Sequence, residues 1–406
     1  MTRLRLGTLV LAAVASVSST PPLQGQQAAG ADDIRTLVGR LDLGRYKATV
    51  QGLTEFGDRR EGTTRNRDAV AWIEAQLKSY GCSDVERLTY TYTSRRRPGG
   101  QGQAEPGEAA PEPFKGEGPG GSTIFGRGRR PTVNRDLAKQ PDARLRALNA
   151  EEPTDGERQE VYCTKIGATR PDEMYIIGAH MDGHGVNQAA NDDGSGTALV
   201  MELARVFSAP DVRTDRSIRF ALWNNEETGT QGAQAYVQQR APRQGIESPP
   251  GSGRYPEPKW LGMIQHDMMM FDHGAPGPDG TVSPTQRREA DVNIEFQANS
   301  KLAAESMALA FRFKAANEAY ATNYPASVGP HMTNTDSNRF QDLVPSISLR
   351  EAERGAEIGG GWDPHGHTPT DVLTTYTDDD YRLGLNAAQT TLAGVAQLVG
   401  ASVTRR

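Results

Sequence analysis

The chain is 406 residues long, with 24% charged and 36% hydrophobic residues and a formal net charge of −6. That length and balance suit a soluble protein with a real core, arranged as one large or two ordinary domains. The negative charge, with no long basic run to offset it, argues against nucleic acid as a partner.

In chain order, residues 1–26 read as an export signal. Arg3 and Arg5 open it, an apolar stretch follows over 6–17, and small and polar residues come next. The apolar stretch is too short to span a bilayer comfortably; a membrane-anchored N-terminus is the competing reading. Export predicts a secreted or periplasmic protein with no membrane contact once the signal is removed. In that oxidising compartment Cys82 and Cys163 can pair, and two buried thiols are the alternative.

Residues 31–56 carry helical spacing in Ile34, Leu37, Leu41, Tyr46 and Val50. A clearer helix spans 63–80, with Val70, Ile73 and Leu77 on one face and Gly81 placed to end it. Residues 84–92 read as a strand. From 95 to 135 Pro and Gly dominate and apolar residues are scarce, so the stretch cannot bury enough surface to order itself. We read it as a surface insertion, with a lid over a site as the functional alternative.

Strands are expected at 160–166, 174–179, 219–223, 261–264 and 344–349, and helices at 196–208, 232–240, 299–321 and 377–399. The helix at 196–208 is apolar nearly all round, as a helix buried against a sheet would be. The run at 219–223 suits a central parallel strand. Leu302, Leu309 and Phe313 should face inward from the helix at 299–321. Thr377 with Asp380 caps the last helix, whose inner side would carry Leu385, Leu392 and Val395. Strands alternating with helices predict an α/β fold, a three-layer αβα sandwich around a mixed, mostly parallel sheet.

Two apolar strands are followed directly by chemistry-bearing residues: His180 and Asp182 after the first, Glu226 and Glu227 after the second. Ligands bind at such carboxyl ends in open α/β sheets. His180, Asp192, Glu227, Asp267 and His367 have the residue types of a two-zinc site, since zinc takes imidazole and carboxylate ligands. Paired ions are commonly held by a bridging carboxylate. Bland readings compete. Glu226 and Glu227 could be acids at a helix N-terminus, and His180 a satisfied histidine at a strand end. His365 rivals His367, while His184, His266, His273 and His331 are set aside as ligands. Asp336 could support the site or cap a helix. Arg350 could meet a substrate carboxylate, although a structural arginine is the plainer reading.

These residues sit in strings that resemble the dinuclear-zinc aminopeptidases of metallopeptidase family 28, which also contains glutaminyl cyclases and glutamate carboxypeptidases. The strings are Gly-Ala-His180-Met-Asp182, Ala-Asn-Asp192-Asp193-Gly-Ser-Gly, Asn-Glu226-Glu227-Thr-Gly, His266-Asp267-Met, Thr335-Asp336-Ser337-Asn-Arg-Phe340 and His367-Thr-Pro-Thr-Asp371. They run in family order over about half the chain. The resemblance implies one peptidase domain over 27–406 that holds two Zn2+ ions, with cobalt or manganese as alternatives, and acts on peptide substrates. It implies that Asp192 bridges the metals, that His180 and Asp267 complete one, and that Glu227 and His367 complete the other. Asp182 would accept a hydrogen bond from His180 and fix its tautomer. Glu226 would be the general base, moving a proton from the attacking water to the leaving amine. The peptide bond between Asp192 and Asp193 is expected to be cis. A secreted aminopeptidase is the leading expectation; a carboxypeptidase or dipeptidase, a glutaminyl cyclase and a scaffold with a dead site are the others. The chain departs from the family in having Thr335-Asp336-Ser337 where Ser-Asp-His is usual, and in His266, which would alter the surroundings of Asp267.

Overall fold

The computed structural model describes residues 32–94, 133–271, 292–330, 335–351 and 363–404. The export segment, most of the Gly/Pro-rich stretch, His273 and His331 lie outside them. The strands are β1 Glu86–Tyr92, β2 Gly156–Lys165, β3 Arg170–His180, β4 Val212–Arg213, β5 Arg216–Trp223, β6 Lys259–His266, β7 Val292–Glu295, β8 Ala326–Gly329, β9 Ser346–Arg350 and β10 Ser402–Val403. The helices are α1 at 32–38, α2 Leu43–Thr54, α3 Thr64–Ser79, α4 Ala143–Leu148, α5 Gly194–Phe207, α6 Gln231–Arg240, α7 Ala303–Tyr320 and α8 Asp378–Val399.

Eight strands form one sheet in the order β1-β2-β5-β3-β6-β9-β7-β8. The four central strands, β5, β3, β6 and β9, are parallel. Antiparallel pairs flank them, β1 with β2, β2 with β5, and β7 with β9. The sheet is therefore mixed and mostly parallel at its centre, as expected. Every β5 residue after Arg216 is buried, which its apolar run requires of a strand covered on both faces. One face is covered by α1, α2, α3, α5, α7 and α8. The other carries α6 and a 3-10 turn at Asp336–Arg339, around Trp223, Tyr236, Trp260 and Phe340. In α5 all residues but Arg205 are buried.

The chain runs from β3 to β5 on one side and then to β6 on the other. The winding direction thus reverses at β3, and a crevice opens at the carboxyl ends of these three strands. None of the described helices is long and apolar enough to cross a membrane.

Several features differ from the sequence expectation, α4, β4 and β10 among the unanticipated elements. The helical stretch over 31–56 is two helices, because Asp42 interrupts it and accepts a hydrogen bond from Arg45 N at 2.7 Å to start α2. Strands β7 and β8 were not anticipated. Each has only four residues, and they become strands by pairing with each other and, through β7, with β9. Leu385 and Leu302 are only partly buried; the inner face of α8 is formed by Leu383, Leu392 and Val395. The α8 cap matches, with Thr377 N donating to the Asp380 carboxylate at 2.6 Å.

Cys82 and Cys163 form a disulfide, resolving the open alternative, and tie the segment after α3 to β2 across a sequence separation of 81. Closing so long a loop removes much of the unfolded chain's freedom. Replacing both cysteines with alanine is expected to cost about 3–5 kcal/mol of unfolding free energy. Urea unfolding of the variant beside the wild type measures it; coincident midpoints would refute this.

Candidate metal centre

The candidate ligands reach the switch-point crevice from separate segments. His180 is the last residue of β3, and Asp267 follows β6 directly. Glu226 and Glu227 lie in the turn after β5, Asp192 precedes α5, and His367 comes from the loop before α8. Buried side chains hold these segments in register. The Asp193 carboxylate accepts from His180 N at 3.1 Å, Gly196 N at 2.9 Å and Met268 N at 3.1 Å, joining the ends of β3 and β6 to the start of α5. Asp371 accepts from Asn191 N at 2.8 Å and Asp192 N at 3.1 Å, which ties the His367 loop to Asp192. Asn134 N donates to the His367 carbonyl at 2.9 Å. The Asp192–Asp193 peptide bond is cis, in line with the resemblance. Asn225, Met268 and His367 adopt left-handed backbone, with φ of 59°, 58° and 61°. Such conformations are uncommon for these residue types and concentrate at functional sites.

Arg59 is an organiser that sequence reasoning missed. It is fully buried and donates to the carbonyls of Met181 at 2.7 Å, Gln188 at 2.8 Å and Ala189 at 2.8 Å, bracing the loop between His180 and Asp192. Its neighbours Asp58, Arg60 and Glu61 are charged, so residue type alone does not mark Arg59 as buried.

The structure brings the five proposed ligands together as two overlapping groups, His180 with Asp192 and Asp267, and Asp192 with Glu227 and His367. His180 Nε2 lies 3.4 Å from Asp192 Oδ1 and 3.8 Å from Asp267 Oδ1. His367 Nε2 lies 3.1 Å from Asp192 Oδ2 and 2.8 Å from Glu227 Oε2. Each oxygen of Asp192 therefore faces a different histidine. His180 Nδ1 donates to the main-chain carbonyl of Asp182 at 3.0 Å. This leaves the lone pair of Nε2 directed at the carboxylates, the tautomer a metal ligand needs.

Asp182 takes the expected hydrogen bond from His180 through its main-chain carbonyl, not its carboxyl. The carboxyl accepts instead from Glu226 N at 3.1 Å and Glu227 N at 3.4 Å, because the turn after β5 folds back over the end of β3. Asp182 thus positions both glutamates. Burial pushes its carboxyl up to about 7. Burial also pushes Glu226 well above the carboxylate range; His180 opposes this, and Asp267, Asp336 and Glu227 add to it.

The donor set fits divalent cations. Asp182, Asp192, Glu227 and Asp267 lie against two imidazoles, Glu226 is coupled electrostatically to His180, and Arg350 pairs with Asp267. Packing that much like charge into a protein interior is costly without compensating cations. Glu227 Oε1 is buried with no hydrogen-bond partner among the described residues. Imidazole and carboxylate oxygen together are zinc ligands.

The other described histidines lie outside both groups. His365 turns its ring to Thr370 Oγ1 at 2.8 Å, and His184 pairs with Glu61 at 3.2 Å. His266 points away from Asp267, into the helical layer, and meets Thr391 Oγ1 at 2.8 Å. Burial lowers its pKa to about 4. Asp336 is not a helix cap: it lies inside the 3-10 turn and accepts from Gln265 at 3.1 Å.

Comparison with known proteins is consistent with this arrangement. Carboxypeptidase Q of Xenopus laevis is 33% identical over 73 residues, 18% of this chain and 16% of that protein. The probable lipoprotein aminopeptidase LpqL of Mycobacterium tuberculosis is 28% identical over 249 residues, 58% of this chain and 44% of LpqL. The chain therefore spans less than half the length of either relative. The solved structure of BSAP, a zinc aminopeptidase from Bacillus subtilis, superposes with a TM-score of 0.57 over 88% of this chain and 95% of BSAP; at 17% identity this speaks for the fold alone. The model of peptidase family M28 matches residues 161–377, just over half of the chain and the stretch from which all five converging ligands and both further acids come, so the chain belongs to peptidase family M28.

Proposed function

We propose that this chain is an exported metallo-aminopeptidase that holds two divalent ions, zinc by preference, and removes N-terminal residues from peptides. The observation that carries this reading is Asp192, whose two oxygens each face a separate histidine, with Glu226 a member of neither group and electrostatically coupled to His180 and Asp267 of one and Glu227 of the other. His180 and Asp267 would hold one ion, Glu227 and His367 the other, and Asp192 both. When bound, the ions would lower the pKa of the attacking water and polarise the scissile carbonyl. Glu226 receives the proton from that water and returns it to the leaving amine. Asp182 keeps Glu226 and Glu227 in place through their main-chain N–H groups.

Zinc is supported by the donor set and by the fold shared with BSAP. Action at the N-terminus is supported by the likeness to LpqL. Export is supported by the N-terminal pattern at Arg3, Arg5 and residues 6–17 and by the Cys82–Cys163 disulfide. A carboxypeptidase or dipeptidase is the second reading, favoured by the match to carboxypeptidase Q.

The test is metal analysis of the purified chain together with a panel of aminoacyl-anilides and N-terminally blocked peptides. About two ions per chain and cleavage of unblocked anilides are expected. Cleavage of blocked peptides would favour the second reading. A single ion with no anilide cleavage would point to a glutaminyl cyclase instead.

A further inference from the structure

Among the candidate ligand carboxylates, Asp267 has its second oxygen committed to a cation. Arg350 closes β9, which pairs in parallel with β6 so that Leu349 stands beside His266. Asp267 N donates to Leu349 O at 3.2 Å and Glu351 N to Met268 O at 3.0 Å, continuing that register past the strand ends. The guanidinium of Arg350 is thereby delivered to the back of Asp267. Arg350 Nη2 donates to Asp267 Oδ2 at 2.6 Å, while Asp267 Oδ1 faces His180 Nε2 at 3.8 Å. Arg350 is 4% exposed. Its Nε lies 4.0 Å from Glu295 Oε2, and its Nη1 lies 3.9 Å from the sulfur of Met268.

The opposite subsite is built differently. Glu227 faces His367 through Oε2, and its buried Oε1 has no hydrogen-bond partner among the described residues. Glu227 can offer two oxygens to an ion. Asp267 can offer one, and the charge behind that oxygen is shared with a guanidinium.

We infer that Arg350 is a positioning residue that restricts Asp267 to one-oxygen ligation and makes the His180–Asp192–Asp267 subsite the weaker of two unequal ion sites. This rests on the two-ion reading above. Two effects of Arg350 compete. It orients Asp267, and loss of an orienting partner typically lowers metal affinity by about 10- to 100-fold. It also places a like charge one carboxylate away from a divalent ion. Coulomb's law at an effective dielectric of ~20 makes this repulsion the larger effect. The buried guanidinium cannot swing into water to escape it, and separation from Asp267 would leave two charges without compensation. Removing the charge should therefore tighten the weaker subsite.

The experiment is calorimetric titration of the full-length, chelator-stripped protein with Zn2+, and separately with Co2+. The wild type should show two steps of unequal affinity. In R350Q the weaker step should tighten by about tenfold or more, while the tighter step stays within about threefold of wild type. R350K keeps the charge and should keep the gap between steps. D267N should lose the weaker step alone, and E227Q the tighter one. The inference is overturned if R350Q weakens or leaves unchanged the weaker step, if R350K closes the gap, or if D267N removes the tighter step. If R350Q does not fold, R350K and D267N still decide. Two equal steps in the wild type would end the inference and leave the two-ion reading standing; uptake of fewer than two ions would end that reading itself.

Discussion

Replacing Glu226 with glutamine is expected to lower kcat on an aminoacyl-anilide by about 10³-fold with metal content unchanged. Glutamine keeps the shape of the side chain and cannot accept a proton. The main-chain N–H of residue 226 still meets Asp182, so the turn that carries Glu227 stays in place. Glu226 belongs to neither ligand group, so nothing that holds an ion is lost. Steady-state kinetics beside elemental analysis and a melting curve measure the three quantities together. A rate near that of the wild type would remove Glu226 from the chemistry, and a drop in bound metal would make it a ligand instead of a base.

The second large effect is expected from Asp192→Asn. Asp192 is the member shared by both groups. An amide offers one oxygen and no charge, so it cannot serve two ions at once. Both ions should bind more weakly, metal content should fall below that of D267N or E227Q, and activity should drop by at least about 10³-fold, since metal assistance is worth several kcal/mol of barrier. The fold should survive, because Asp192 anchors its loop to Asp371 through a main-chain N–H that asparagine retains. Retention of two ions by D192N would show that the two groups do not share a bridge.

The alternation of strands and helices was legible because buried parallel strands and the helices that cover them leave continuous apolar runs, such as β5 and α5. Strands β7 and β8 left no such run. Their four residues each are strand-like only once a neighbouring strand supplies hydrogen bonds, and a single segment cannot display that. The candidate ligands His180, Glu227 and Asp267 were legible as imidazole and carboxylate just beyond strand ends, whereas Asp192 and His367 stood out only through the strings that resemble the family. Arg59 was not legible, since a buried arginine surrounded by charged neighbours in sequence looks the same as an exposed one. The contacts of the Asp182 carboxyl were not either: a main-chain donor carries no residue-type signal, so the turn decided that the carboxyl meets the N–H groups of Glu226 and Glu227 while the main-chain carbonyl takes His180.

The linear order of residues by itself determined the αβα layering, the family and which side chains were available to meet metal ions, because apolar periodicity and ligand chemistry are properties of residue types. Only the tertiary structure decided that Cys82 reaches Cys163, that Asp193 and Asp371 lace the ligand-bearing segments together, and that Arg350 stands behind Asp267. Those facts depend on how β6 and β9 are aligned and on which way the winding turns at β3. Strand register and the reversal of winding are relations between segments far apart in the chain, and no one segment encodes them alone.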